Sequence, residues 1–288
     1  MSQAVAFRQV GDRAAAGLAL RLPRGPQRGR LGEVRAASVG SSLELHDFRA
    51  YQPGDDLRQV DWNARARLGE LVVRVRQEEV SPRVEVLLDA SASMGVSAAK
   101  AARAREVAGW VCALAGHAGL RPTALVLGQG PNRAHGAAAL ELLGAAVLEG
   151  KEGFEALLRR RAKVGPVGVR VVVSDFLFEA PPLALARTLA QGAASLALVQ
   201  VLDEEDLAPG GSGGVRLVDA ETGEALERLL TAPVVERYQG RLRAHVALWE
   251  GAVRAVRARW AQVSAGTSLE SLAREELREL AVVTAGRR

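Results

Sequence analysis

From Pro82 onward, short apolar runs alternate with longer stretches of helical spacing, and this alternation organises most of the chain. Val84-Glu85-Val86-Leu87-Leu88 is β-branched and leucine-rich, lies between Pro82 and Gly95, and reads as a short buried strand. A helix pattern follows from Lys100 to Gly116. Thr123 to Leu127 reads as a second strand, Val169 to Val173 as a third that ends in Ser174-Asp175, and Ser195 to Leu202 as a fourth. Between them, Ala137 to Leu148, Phe154 to Ala162 and Leu183 to Gln191 carry helical spacing. Strands separated by ten or more residues of helix imply βαβ crossovers and a parallel sheet. After the glycine-rich loop at 210–214, Val215 to Val218 is expected to add an edge strand. A long helix, Val234 to Arg259, and a last one, Leu269 to Leu280, close the chain.

The first 81 residues have a different texture. Residues 1 to about 30 carry weak periodicity and read as a loosely organised lead-in. Gly32 to Glu79 is β-rich and highly charged, with a type II turn pattern at Tyr51-Gln52-Pro53-Gly54-Asp55. Leu71 to Arg76 alternates apolar residues with arginine towards its end, as a half-exposed strand does. The expected division is therefore 1–81, a lead-in and β-rich elaboration, and 82–288, an α/β domain with C-terminal helices.

Composition narrows the setting. The chain has 288 residues, 48% of them hydrophobic, enough for a substantial core. No apolar run approaches the ~18 residues of a membrane span. The apolar stretch from Ala14 to Leu20 is too short and too closely flanked by arginine for a signal peptide. The expectation is a cytoplasmic protein with no membrane partner. Cys112 is the single cysteine, which excludes an intramolecular disulfide. The net charge of +5 and pI near 10.1 raise nucleic acid as a partner. The arginines are spread along the chain and interleaved with acids, however, so this reading is not favoured.

Candidate chemistry centres on Asp89-Ala90-Ser91-Ala92-Ser93, which ends the first strand of the alternating region. Extended backbone points alternate side chains the same way, so one carboxylate and two hydroxyls can converge on a small hard cation such as Mg²⁺. The competing reading is that Ser91 or Ser93 caps the following helix. Asp175 ends the third strand. Ligands of open parallel sheets sit beyond the carboxyl ends of the strands, so a second acid there favours a cation site over a local turn or an arginine pair. No histidine spacing suggests a triad or a zinc site, and no phosphate-binding glycine loop is present. A metal-dependent hydrolase using the same acids is the alternative from another class.

The D-x-S-x-S loop, the later strand ending in Ser-Asp and the α/β alternation together resemble the von Willebrand factor A domain. The segment from Phe48 to Trp62, with Asn63 to Leu71 and Glu78-Glu79, is similar to the signature of the bacterial domain-of-unknown-function family fifty-eight. The resemblance covers roughly Arg28 to Arg278, including Asp219-Ala220-Glu221-Thr222-Gly223-Glu224. It implies a von Willebrand A-like parallel sheet flanked by helices, with a β-rich N-terminal elaboration and a helical C-terminus. It also implies a metal-ion-dependent adhesion site holding Mg²⁺ or Mn²⁺ through Asp89, Ser91, Ser93 and Asp175, with one position left for a partner's carboxylate.

Family members are linked with MoxR-type AAA+ ATPases, so the implied function is a non-enzymatic adaptor or co-chaperone. One departure matters: the threonine that such a site takes from a loop between the two acidic motifs is absent. The matching loop is Glu149 to Phe154, where Lys151 falls near the threonine's place. Lys151 is thus a candidate substitute for the metal, with Glu152 joining the shell, or water in the threonine's place, as alternatives. The charges of 49–79 read either as salt bridges holding the elaboration or as a docking surface for the ATPase, with Arg49, Arg58, Asp61 and Arg65 as partner-binding residues.

Overall fold

The computed structural model describes residues 3–22, 47–50, 72–75, 83–128, 132–151, 153–159 and 165–283. Two compact units divide the chain, one of Met1–Arg24 with Pro82–Arg288 and the other of Gly25–Ser81. In chain order, helix α1 (Gln3–Ala14) and strand β1 (Leu18–Leu20) open the larger unit. Strands β2 (Asp47–Ala50) and β3 (Val72–Val75) form an antiparallel pair in the smaller one, with Arg49 opposite Val73. Arg58, Asp61 and Arg65, expected to meet a partner, lie outside the described residues, as does the turn at Pro53-Gly54.

The lead-in is more ordered than its weak periodicity predicts. Ala14, Ala15 and Leu20 enter the main core. Strand β1 pairs antiparallel with β12 (Ala281–Val283), which joins the two ends of the larger unit. The His117 Nδ1 atom lies 2.9 Å from the Leu18 carbonyl oxygen and 3.1 Å from that of Ala15, anchoring this segment to the end of a long helix.

The central sheet contains β4 (Val84–Asp89), β5 (Pro122–Leu127), β6 (Asn132–His135), β7 (Val167–Ser174), β8 (Ala193–Leu202) and β11 (Arg259–Ser264). Their order is β11-β8-β7-β4-β5-β6, with every neighbouring pair parallel except β5 and β6. Helices α2 (Ala98–His117), α3 (Ala137–Gly144), α4 (Glu155–Arg159), α5 (Pro182–Ala190), α6 (Glu204–Leu207), α7 (Ala232–Ala255) and α8 (Leu269–Arg274) complete the larger unit.

Alternate residues of the central strands serve two cores. Val84, Val86 and Leu88 of β4 and Val169, Val171 and Val173 of β7 pack with Trp110, Val111 and Leu114 of α2. Leu87 and Val172 face the other way, into a cluster with Phe154, Phe176, Leu185, Leu189 and Trp249. Each fully buried aliphatic side chain contributes about 1.5–3 kcal/mol, so burial on both faces fixes the strand register.

His135 sits in edge strand β6, and its Nδ1 lies 2.8 Å from the Thr123 hydroxyl. Two local expectations change. Val215 to Val218 does not extend the sheet: β9 (Gly213–Val218) pairs with β10 (Ala225–Leu230) in a separate hairpin. The long helix stops at Ala255, and Arg259 to Ser264 forms sheet strand β11 instead.

Candidate functional site at the strand ends

Chain direction places the site. From β4 the chain crosses to β5 on one side, whereas from β7 it crosses to β8 on the other. The crevice beyond the carboxyl ends of β4 and β7 is therefore a topological switch point, where an open α/β sheet leaves room for a ligand. Asp89 ends β4, and Ser174-Asp175 ends β7.

Asp89 is fully buried. Its Oδ1 accepts the Ser91 N–H at 3.0 Å, and its Oδ2 accepts the Ser174 hydroxyl at 2.6 Å. Burial, reinforced by the nearby Asp175 charge, pushes its carboxyl up to about 7 against the pull of these bonds. The Ser174 hydroxyl in turn accepts the Phe176 N–H at 3.1 Å. Phe176 holds a left-handed backbone, φ 52°, strained for a bulky residue. Its ring is fixed against Trp249 and Trp260, with centroids 4.8 and 5.4 Å away, and its carbonyl oxygen lies 2.6 Å from His245 Nε2. The aromatic cluster thus holds the turn that aims Ser174 at Asp89.

Asp175 is also fully buried and meets a cation that spacing alone does not reveal. Lys100 projects from the first turn of α2, with its Nζ 2.9 Å from Asp175 Oδ2 and 2.9 Å from Asp206 Oδ2. Burial works against the ammonium, but the two carboxylates outweigh it and raise its pKa. Asp175 Oδ1 accepts the Leu177 N–H at 3.1 Å, so the local turn and the cation pair both exist. Ser97, not Ser91 or Ser93, caps α2: its hydroxyl accepts the Lys100 N–H at 3.0 Å and donates to Asp203.

The two serines of the motif lie together, with their hydroxyl oxygens 3.2 Å apart. Ser91 is buried and Ser93 is half-exposed. The loop from Glu149 to Phe154 crosses the motif as expected: the Ala92 N–H donates to the Gly150 carbonyl and the Gly150 N–H to the Ala90 carbonyl. The element it brings to Asp89 is backbone, however. A Cβ at Gly153 would stand 3.3 Å from Asp89 Oδ2 and 2.8 Å from Glu155 Oε2. Lys151 is exposed, and the ammonium that meets Asp175 belongs to Lys100, so the expected substitution falls on a different lysine. Glu152 lies outside the described residues.

One further acid reaches the edge. Glu221, half-buried at the turn of the β9–β10 hairpin, lies near enough to the motif for Ser93 and Asp175 to act on its carboxyl. Burial and the charges of Asp175 and Asp219 raise its pKa, while the Ser93 contacts oppose the rise. The sequence marks the Asp219–Glu224 turn but carries no signal that it returns to the motif.

Asp89, Ser91, Ser93 and Asp175 are the oxygens expected to hold a divalent ion. Both Asp89 oxygens accept hydrogen bonds, and Asp175 gives one oxygen to Lys100 and the other to Leu177. Ligating carboxylates are ordinarily hydrogen-bonded as well, so these bonds alone do not bar an ion. Among the described residues, no group of three or more His, Cys, Asp or Glu is arranged to hold a metal. An ion on Asp175 would have to compete with the Lys100 ammonium.

Among the described residues, no histidine is placed as a base for either serine. Among the described histidines, His117 faces backbone carbonyls, His135 faces Thr123, and His245 faces Phe176 and Trp249. Ser174 does touch a carboxylate, yet both partners are fully buried and shut away from a substrate. Cys112 is buried in α2, its thiol pushed up to about 12 by burial. Among the described residues, no helix is long and apolar enough to cross a membrane.

The chain belongs to the DUF58 family of proteins of unknown function, whose model matches residues 47–247. No curated protein matches it significantly. Among solved structures, it is similar to the conserved hypothetical protein BatB from Bacteroides thetaiotaomicron, at 14% identity and a TM-score of 0.41. It is also similar to an aerotolerance-related membrane protein from Bacteroides fragilis NCTC 9343 with multiple mutations to serines, at 13% identity and a TM-score of 0.39. Each likeness covers 69% of this chain and 98% of the other.

Proposed function

We propose that this DUF58 protein is a non-enzymatic adaptor whose strand-end edge docks an acidic side chain of a protein partner. The fold is read as von Willebrand A-like on the strength of the D-x-S-x-S and Ser-Asp motifs lying at the switch point of a mostly parallel sheet. The observation that carries the reading is the half-exposed Ser93 hydroxyl, 3.2 Å from the buried Ser91 hydroxyl, at a strand-end edge whose acids are partly offset. Lys100 counters Asp175 while also holding Asp206, and Asp89 takes up a proton near neutral pH, so a partner's carboxyl meets the serine donors against a reduced negative field, the same field that raises the Glu221 pKa. The rim is partly apolar. Gly95 lies so close to Leu148 that their loops abut, and their neighbours Val96 and Val147 are 66% and 57% exposed. Apolar contacts around a polar anchor suit a protein partner better than a small substrate.

The partner proposed is a MoxR-type AAA+ ATPase or its client, following the family resemblance, and the site is proposed to work without a divalent ion. Tagged protein isolated from its native lysate in parallel with Mg²⁺ and with EDTA tests both points. Recovery of an AAA+ ATPase in both buffers is expected. Recovery only with Mg²⁺ overturns the metal-free edge, and recovery in neither overturns the adaptor reading. Turnover of ester or phosphoester substrates that vanishes on Asp175→Ala would replace that reading with the hydrolase.

A further inference from the structure

Helix α7 is held along one side and leaves the flank beside it bare. The Tyr238 hydroxyl donates to the Asp206 carbonyl at 2.6 Å, His245 Nε2 lies 2.6 Å from the Phe176 carbonyl oxygen, and Trp249, Ala252 and Val253 are buried. At helical spacing these residues share one side. Ahead of Trp249 the helix buries no residue at all. About a quarter turn away, Val234, Arg237, Arg241, Ala244 and Leu248 form a second line, spaced alternately by three and four. All of them are exposed, Leu248 at 64%. This flank has two properties that the described chain does not use. Its cations lack partners: among the described residues, Arg237, Arg241 and Arg243 make no salt bridge, and the ion pair of the helix lies further on, Glu250 with Arg254 at 3.9 Å. Glu236 is the one acid between Ala232 and Trp249. Its surface is also unusually low. Gly240 and Gly251 border the line inside the helix, where glycine is weaker than alanine. A Cβ at Gly251 would have nothing within 4 Å, and one at Gly240 would meet Arg243 Nη2 at 4.0 Å. No contact among the described residues therefore requires a glycine at either position.

We propose that this flank of α7 is a second docking surface and takes an acidic amphipathic helix of a protein partner. It goes beyond the strand-end edge and does not rest on it. Charge sets the partner's sign: an apolar stripe flanked by glutamate or aspartate brings opposite charge to Arg237 and Arg241, and to Arg243 beside Gly240. Shape sets its form. The 24 residues of α7 give a rod of about 36 Å. Gly240, Ala244, Gly251 and Ala255 let a second helix approach towards the short end of the usual range, about 8 Å between axes. Val234 and Leu248 then meet the partner's apolar stripe, and the arginine stems cover it between them. A nucleic-acid strand would answer the charge but leave Val234 and Leu248 in water.

The test titrates a synthetic helical peptide of three heptads into the full chain, with leucine at the two seam positions and glutamate beside them to keep it from pairing with itself. The same peptide with lysine for glutamate is the control. Wild type is expected to bind the glutamate peptide at least ~tenfold more tightly than the lysine one, with affinity falling as salt rises. Arg237→Glu combined with Arg241→Glu should reverse that preference, an outcome that unfolding does not produce. Gly251→Leu should weaken binding about tenfold and leave the chain at least as stable, because the space above it is open. Ser93→Ala should bind the peptide as wild type does, which separates this surface from the strand-end edge. Equal affinity for the two peptides, or binding of neither, overturns the proposal. Binding that survives the double arginine variant and Gly251→Leu overturns the assignment to this flank. Self-association or DNA binding of wild type that the arginine variant abolishes would give the flank to a second copy or to nucleic acid, and either overturns the acidic helix.

Discussion

Strands β4 and β7 carry, on one face, a polar pair at each end of an apolar rung. At the amino end Glu85 stands opposite Arg170, Leu87 opposite Val172 follows, and at the carboxyl end Ser174 reaches Asp89. The two ends are satisfied in different ways. Arg170 is fully buried, with its Nε 2.8 Å from Glu85 Oε2 and its remaining nitrogens on the carbonyls of Leu189, Gln191 and Gly165. Arg133 adds a second cation on Glu85 Oε1 at 2.8 Å. That end is a closed pair holding strand and loop ends together. At the other end the cation is Lys100 on Asp175, while Asp89 has only hydroxyl and amide donors and holds a proton near neutrality. Same ladder, same burial, opposite chemistry: one end is completed by arginine, the other keeps an uncompensated acid beneath two hydroxyls. An uncompensated acid at a switch point is what a binding site retains and a structural pair does not.

The largest effect expected is at the closed end. Arg170→Ala leaves Glu85 buried without its main partner and should cost about 3–5 kcal/mol of unfolding free energy by chemical denaturation. A loss under about 1 kcal/mol would show that the pair is not structural. At the open end the signature is a pH slope. The folded state binds the Asp89 proton more tightly than the unfolded chain, where the carboxyl has its ordinary value near 3.8. Stability from this group is therefore greatest below pH ~4 and falls as pH rises to about 7, by roughly 4 kcal/mol in all. Glu221, also raised, acts in the same direction. Denaturation of wild type and Asp89→Asn across pH 4–8 should show the variant's slope reduced; parallel slopes would contradict the assignment.

Gly153→Ala sharpens the contrast at smaller scale. A methyl group there meets Glu155 Oε2 at 2.8 Å and Asp89 Oδ2 at 3.3 Å, and overpacking of this kind costs about 1–3 kcal/mol. The smallest effect is that of Ser93→Ala. It removes one half-exposed hydroxyl and should change stability by no more than about 0.5–1.5 kcal/mol while lowering partner affinity.

Much of this was legible in the chain. The runs at Val84–Leu88 and Val169–Val173 fall inside observed strands because strands buried on both faces leave continuous apolar signals, and Thr123–Leu127 falls inside a strand whose burial alternates between its faces. Strand β11 was hidden because the turn that ends α7 uses Arg257 at φ 56°, where glycine is the usual signal, so the helical pattern ran on past Ala255. Strand β6 is short and largely solvated, with no apolar alternation to read. At the site, Asp89, Ser91, Ser93 and Asp175 were legible from the motif and the strand ends. Lys100 was not, because its partners Asp175 and Asp206 are 75 and 106 positions away and only the crossover brings them to α2. Lys151 had the local spacing but is exposed, and spacing carries no information on burial.

The central claim is that the Asp89 end binds a partner while the Glu85 end only holds the fold. Titrating the purified AAA+ ATPase against wild type and Ser93→Ala, with unfolding curves for both, tests it most directly. Ser93→Ala is expected to remain folded and to lose at least about tenfold in affinity, the size of a ~1.4 kcal/mol contact. Undiminished binding by the folded variant would contradict it and make both ends of the ladder structural.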